Sequence, residues 1–189
     1  MIEDVRDQLL AHRALFEVME RDLSSQIAEL ARLLTETFHS GGKLLVMGNG
    51  GSAADAQHFA AEMVGRFKLE RPALPAIALS TDTSILTAIG NDYGFDLVFR
   101  RQVEALAVAG DVVVGISTSG NSPNVLAALE LARARGCRTV GLLGRDGGSI
   151  KAVCDLAAIV PSADTPRIQE GHITIIHIVC DLVERTLFG

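Results

Sequence analysis

Twice in this chain a short strand that is apolar on both faces runs straight into a turn of small residues and then into a helix. The first instance is Lys43-Leu44-Leu45-Val46-Met47 followed by Gly48-Asn49-Gly50-Gly51-Ser52. The second is Val112-Val113-Val114-Gly115-Ile116 followed by Ser117-Thr118-Ser119-Gly120-Asn121-Ser122-Pro123. A strand with no polar face is stable only between two layers, so helices must cover a mostly parallel sheet on both sides. Pro75 to Leu79, Thr139 to Leu143 and residues 156–160 read as three more strands. Helices fit residues 82–90, 95–107 and 123–135, a short one lies near 149–154, and a last one runs from Pro166 to Leu187. The fold class is therefore α/β, a doubly wound and mostly parallel five-stranded sheet.

Ahead of that sandwich, Val5, Leu9, Phe16, Met19 and Leu23 mark one apolar stripe, and Ile27, Leu30, Leu34 and Phe38 a second. They read as two extra N-terminal helices whose apolar faces pack on the core or on another subunit. With 189 residues the chain is expected to form one domain, with residues 1–40 for oligomerisation and 41–189 as the α/β core.

Composition removes several function classes. Seventeen basic against 23 acidic residues give a net charge of −6, the wrong sign for a nucleic-acid surface. Mean hydropathy is +0.30, yet no apolar run approaches the ~18 residues of a membrane span. The acidic start, Met1-Ile2-Glu3-Asp4, has no signal-peptide pattern. Cys137, Cys154 and Cys180 are odd in number and widely spaced in apolar surroundings, which suits buried free thiols of a reducing cytosol. A cytoplasmic protein handling small molecules is the expectation.

The chemistry concentrates on the helix that follows the first turn. Ser52 is read as its N-cap, and Asp55 three residues on as the partner of a capping box. Free N–H groups and the positive end of the helix dipole then face the glycine turn, a cradle for phosphate. His58 and Glu62 are four apart on that helix and share one face, as a metal pair or an acid/base pair would. The plainer alternative is a surface ion pair worth about 0.2–0.5 kcal/mol. The turn matches neither G-x-G-x-x-G nor G-x-x-x-x-G-K-[ST], so dinucleotide and ATP binding lack their motifs.

Ser117 to Ser122 forms a second phosphate nest with hydroxyl donors, and Pro123 at the first helical position makes Ser122 the N-cap. Ligands of open parallel sheets bind beyond strand C-terminal ends, so the two turns can converge on one site. The last helix opens Thr165-Pro166-Arg167-Ile168-Gln169-Glu170, with Thr165 as expected N-cap. His172 falls on the apolar stripe of Ile168, Ile175, Val179 and Leu182 and reads as a packed or interface histidine; His177 lies off it. Gln169 and His177 are about 80° and about 12 Å apart on a straight helix, long for one metal ion. Either the helix bends near Gly171, or the two residues serve sites across a subunit boundary.

Gly48-Asn49-Gly50-Gly51-Ser52 through His58 and Glu62, Ser117 to Ser122, and Arg167-Ile168-Gln169-Glu170 together resemble the phosphoheptose isomerases, bacterial sugar-isomerase (SIS) domain enzymes. Ser80-Thr81-Asp82-Thr83 and Asn91-Asp92-Tyr93 agree with that resemblance, which spans almost the whole chain. It implies conversion of D-sedoheptulose 7-phosphate to D-glycero-D-manno-heptose 7-phosphate, the first step toward nucleotide-activated heptose for lipopolysaccharide, capsule or S-layer glycans. It also implies one Zn2+ per subunit on His58, Glu62, Gln169 and His177, and Glu62 with His177 as the catalytic pair. Substrate contacts would fall on Asn49, Gly50, Gly51, Ser52, Glu62, Asn91, Asp92, Ser117, Thr118, Ser119, Ser122 and Gln169. Pro166 departs from the pattern, since some relatives carry an acidic residue there. Homotetramers with sites at subunit boundaries are implied too. The alternative is a non-catalytic SIS-fold regulator of the bacterial replication initiator, a family without counterparts of Glu62 and His177.

Overall fold

The computed structural model describes residues 1–189. Its sheet has five strands, β1 (Leu44–Gly48), β2 (Ala76–Ala78), β3 (Val112–Ser117), β4 (Arg138–Gly144) and β5 (Leu156–Val160). They pair only in parallel, in the order β2-β1-β3-β4-β5. Every residue of β1 and β3 is buried, as their two-sided apolar sequences require. The helices are α1 (Ile2–His39), α2 (Gly51–Val64), α3 (Thr83–Tyr93), α4 (Val98–Leu106), α5 (Pro123–Ala134) and α6 (Thr165–Phe188).

Two apolar layers sandwich the sheet. Leu44, Val46, Val112, Val114 and Leu142 pack with α1, α2 and α6 through Leu34, Phe59 and Ile175. Leu45, Met47, Val113 and Leu143 pack on the other side with α4 and α5 through Phe99, Val103, Val125 and Leu129. The strand order reverses direction at β1 and β3, whose ends lie level at Gly48 opposite Ile116. That switch point sets the two turns side by side, the usual crevice of an open α/β sheet.

The two expected N-terminal helices are one continuous helix of 38 residues. No Pro or Gly interrupts residues 2–39, and Ser24, between the two stripes, turns its hydroxyl back onto the Glu20 carbonyl. The helix is buried only from Leu15 onward; Val5 and Leu9 stay exposed. The helix expected over 95–107 begins as a 3₁₀ turn, Phe95–Leu97, before α4. Its neighbour α3 is capped by Asp82, which accepts the Ile85 N–H at 2.9 Å.

Three cap assignments are corrected. The N-cap of α2 is Gly50, not Ser52, and Ser52 makes no capping bond. Gly50 has φ +56° and ψ −122°, a conformation for which a residue with a Cβ is poorly suited. Asp55 closes no capping box, since one of its carboxyl oxygens is buried without a partner. The N-cap of α6 is Asp164, not Thr165, and it too makes no side-chain capping bond. Ser122 does cap α5 by position, with Pro123 following it. Cys137, Cys154 and Cys180 are free thiols; Cys154 is only half-buried, not enclosed as expected.

Candidate active site

The turns after β1 and β3 are joined by a reciprocal amide pair. Asn49 Nδ2 donates to Asn124 Oδ1 and Asn124 Nδ2 donates to Asn49 Oδ1, each at 2.9 Å. Asn124 is buried in the first turn of α5, and its Oδ1 also accepts the Val125 N–H at 2.9 Å. Beside it the hydroxyls of Ser117 and Ser122 meet at 2.9 Å, and Ser119 Oγ accepts the Asn121 N–H at 3.1 Å. Ser52 is buried in the first turn of α2, while Thr118, Ser119 and Ser122 are half-buried. The bridged turns thus bring together two helix N-termini that carry Ser52, Ser117, Ser119 and Ser122 near them, an arrangement of neutral donors and dipoles suited to a phosphate. Asn124 was not singled out in the sequence. Its only signal there is an amide at a helix position where the neighbouring Val125 and Ala128 form a core stripe.

A second cluster lies further along α2, against α6. His58 Nε2 stands 3.0 Å from Glu62 Oε1 and 3.1 Å from His177 Nε2. All three ligand atoms lie within 4.8 Å of one another. His58 is exposed, while Glu62 and His177 are half-buried, so the cluster opens to small molecules. Two imidazoles facing each other nitrogen to nitrogen need either a shared proton or a common cation. The N,N,O donor set is one that zinc uses, and ligand atoms about 2.0–2.1 Å from a tetrahedral zinc sit about 3.3 Å apart. The residues present fit a divalent metal.

Gln169 takes a different place. Its Nε2 lies 2.2 Å from where a Cβ on Gly51 would be, so only glycine lets this amide lie over the turn. Gly51 precedes His58 by seven residues, about 10 Å along α2 at the usual rise. Within one chain Gln169 therefore lies over the turn after β1. Asn91 and Asp92 are exposed at the end of α3, where Asn91 Nδ2 donates to Asp92 Oδ1 at 2.8 Å. No hydrogen bond joins either of them to the turns within the chain.

Asp55 shares the site-facing side of α2, one turn before His58. Burial pushes its carboxyl up to about 6, and a charged His58 pulls the other way. His172, packed on the core as expected, is fully buried and its Nε2–H donates to the Leu143 carbonyl at 2.9 Å. Burial lowers its pKa to about 4, so the ring is neutral, and its Nδ1 has no partner.

Residues 10–144 match the family model described as SIS domain. A phosphoheptose isomerase of Pelobacter propionicus is 74% identical over 189 residues, covering 100% of each chain. Another from Geobacter sulfurreducens is 74% identical over 188 residues, again 100% of each. Among solved structures, a phosphoheptose isomerase from Neisseria gonorrhoeae superposes with a TM-score of 0.92 at 49% identity, over 97% of this chain and 98% of that one.

Proposed function

Because the chain belongs to the phosphoheptose isomerase family, we propose that it converts D-sedoheptulose 7-phosphate to D-glycero-D-manno-heptose 7-phosphate. The observation that carries this reading is the meeting of Glu62 and His177, from α2 and α6, in one cluster on the helix that begins at the turn after β1. The crevice formed by Ser52, Ser117, Ser119 and Ser122 holds the phosphate, with Gly50, Gly51 and Thr118 lining it. Asn49 aligns the two turns through Asn124. Asn91 and Asp92 fit the reading as contacts completed across a subunit boundary, since they lie apart from the turns within one chain.

The reaction moves one hydrogen between carbons and one between oxygens. Glu62 takes a proton from C1 and returns it to C2. His177 delivers a proton to the C2 oxygen and removes one from the C1 hydroxyl, so the enediol collapses to the aldose with no net proton change. Each positioned acid or base contributes about 10²–10⁴-fold. Zn2+ held by His58, Glu62 and His177 would supply Lewis-acid polarisation of the substrate oxygens. Gln169, which lies over Gly51 in its own chain, would be the fourth ligand, supplied across a subunit boundary.

We read residues 1–189 as one SIS domain that works as a cytoplasmic homotetramer. Ile2, Val5, Leu9 and Leu10 stand exposed along the first turns of α1, apolar surface that a partner subunit would cover. No helix is long and apolar enough to cross a membrane. The test is turnover of D-sedoheptulose 7-phosphate followed by NMR, with and without chelator and restored Zn2+. Aldose that disappears on chelation and returns with zinc supports the whole reading. A folded protein that makes no aldose under any condition overturns it.

A further inference from the structure

Glu62 lies in the last turn of α2, and that helix ends on a buried cation. The last carbonyls of a helix lack helical partners. Here the Gly65 N–H returns to the Ala61 carbonyl at 2.8 Å and the Leu74 N–H reaches the Met63 carbonyl at 3.0 Å. Arg71 bonds two of these carbonyls. Its Nη2 donates to the Glu62 carbonyl at 2.8 Å, and its Nη1 to the carbonyls of Met63 and Pro72 at 2.9 Å each. A guanidinium at that end also meets the negative pole of the helix dipole.

The same guanidinium is fastened to α6. Arg71 Nε donates to Glu184 Oε2 at 3.0 Å, with the two side chains 1% and 2% exposed. Glu184 further accepts the N–H of Phe67 at 2.8 Å and those of Lys68 and Leu69 at 2.6 Å each. Burial alone would push its carboxyl up; these donors and Arg71 outweigh that and hold it at about 2, ionised throughout the working range. Glu184 lies seven residues after His177, two turns along α6. The segment it holds lays the Phe67 ring 5.7 Å from the His177 ring and brings Lys68 Nζ 2.9 Å from Asp181.

A buried ion pair is weak evidence of stabilisation, because apolar residues of equal volume often do as well. What the charged pair adds is direction, since a planar fork of donors fixes where each carbonyl oxygen must lie. Accepting Glu62 and His177 as the reacting pair, we propose that Arg71 and Glu184 are positioning residues. They lock the last turn of α2 to α6 and so hold the Glu62 carboxylate in register with the His177 ring.

The test uses the full-length protein with Arg71→Lys and Glu184→Gln. Lysine keeps the charge and can reach Glu184, but it loses the fork on Glu62, Met63 and Pro72. The expected result for both variants is a folded protein whose kcat falls about 100-fold, with KM within about threefold of the parent. Zn2+ affinity, read by chelator competition without substrate, should fall about 10–100-fold. Parental kcat and zinc affinity in both folded variants overturn the proposal. So does a loss of kcat that only tracks the unfolded fraction. If Arg71→Lys does not fold, Glu184→Gln decides by the same two readings; if neither folds, the pair is a stability element and the proposal fails. Glu62→Gln separates this from its premise. A Glu62→Gln protein with parental turnover removes the reacting pair itself, whereas an inactive one beside a fully active Arg71→Lys removes only the positioning role.

Discussion

Mild acid should destabilise this fold through one buried histidine. His172 is 0% exposed, its Nε2–H is fixed on the Leu143 carbonyl at 2.9 Å, and its pKa falls to about 4 from an ordinary 6.5. The unfolded chain therefore binds a proton at His172 below pH 6.5 that the folded chain refuses until about pH 4. Stability from this residue is full above pH 6.5 and is lost as pH falls through that window. At pH 5 the gap spans about 1.5 pK units, a loss of about 2 kcal/mol relative to pH 7. Asp55 opposes it: its carboxyl, raised to about 6, takes up a proton in the folded state and favours folding as pH drops. Comparison with His172→Gln cancels Asp55 and the exposed histidines, because glutamine keeps an N–H for Leu143 and has nothing to titrate. Urea unfolding followed by circular dichroism, in chelator at one protein concentration, should show the difference between parent and variant shrinking by about 2 kcal/mol from pH 7 to pH 5. A difference constant to within about 0.5 kcal/mol across that range would refute the assigned neutral, dehydrated imidazole.

Further outcomes follow from single contacts. Glu62→Gln should lower kcat about 10²–10⁴-fold while the protein stays folded, checked by NMR turnover against a melting curve. Gly51→Ala places a methyl 2.2 Å from Gln169 Nε2, the far end of a side chain that can swing away. Melting temperature should then stay within a few degrees while turnover falls at least about tenfold, the signature of a displaced Gln169. Asn124→Ala leaves the Asn49 amide and the Val125 N–H without their partner, so unfolding free energy should fall by about 1–3 kcal/mol and KM for the sugar phosphate should rise. Saturating Zn2+ at about 100 times its Kd should stabilise the native protein by about 2.7 kcal/mol, seen as a melting shift that His58→Ala abolishes.

Local sequence determined the layers and the chemistry. Strands apolar on both faces, such as Val112 to Ile116, can persist only inside a covered parallel sheet. The small-residue turns after β1 and β3 were legible as anion-binding turns, while the level register of Gly48 with Ile116 that sets them side by side came from the sheet. His58 and Glu62 share a face by helical spacing alone. Helix ends were less legible. Ser52 and Thr165 have the right chemistry for caps, but the cap is set by where the backbone leaves the helical region, and that happens one or two residues earlier, at Gly50 and Asp164. The single 38-residue α1 was hidden because its apolar stripe is broken by Ser24 and Ser25, residues a helix tolerates when their hydroxyls bond locally.

Contacts distant in sequence belonged to the tertiary structure alone. The approach of His177 to His58 joins residues 119 apart, and that of Glu184 to the Phe67 N–H joins residues 117 apart. Spacing rules carry information only across a turn or two of helix. Whether an arginine such as Arg71 is solvated or locked onto helix carbonyls depends on which remote carboxylate the folded chain buries beside it.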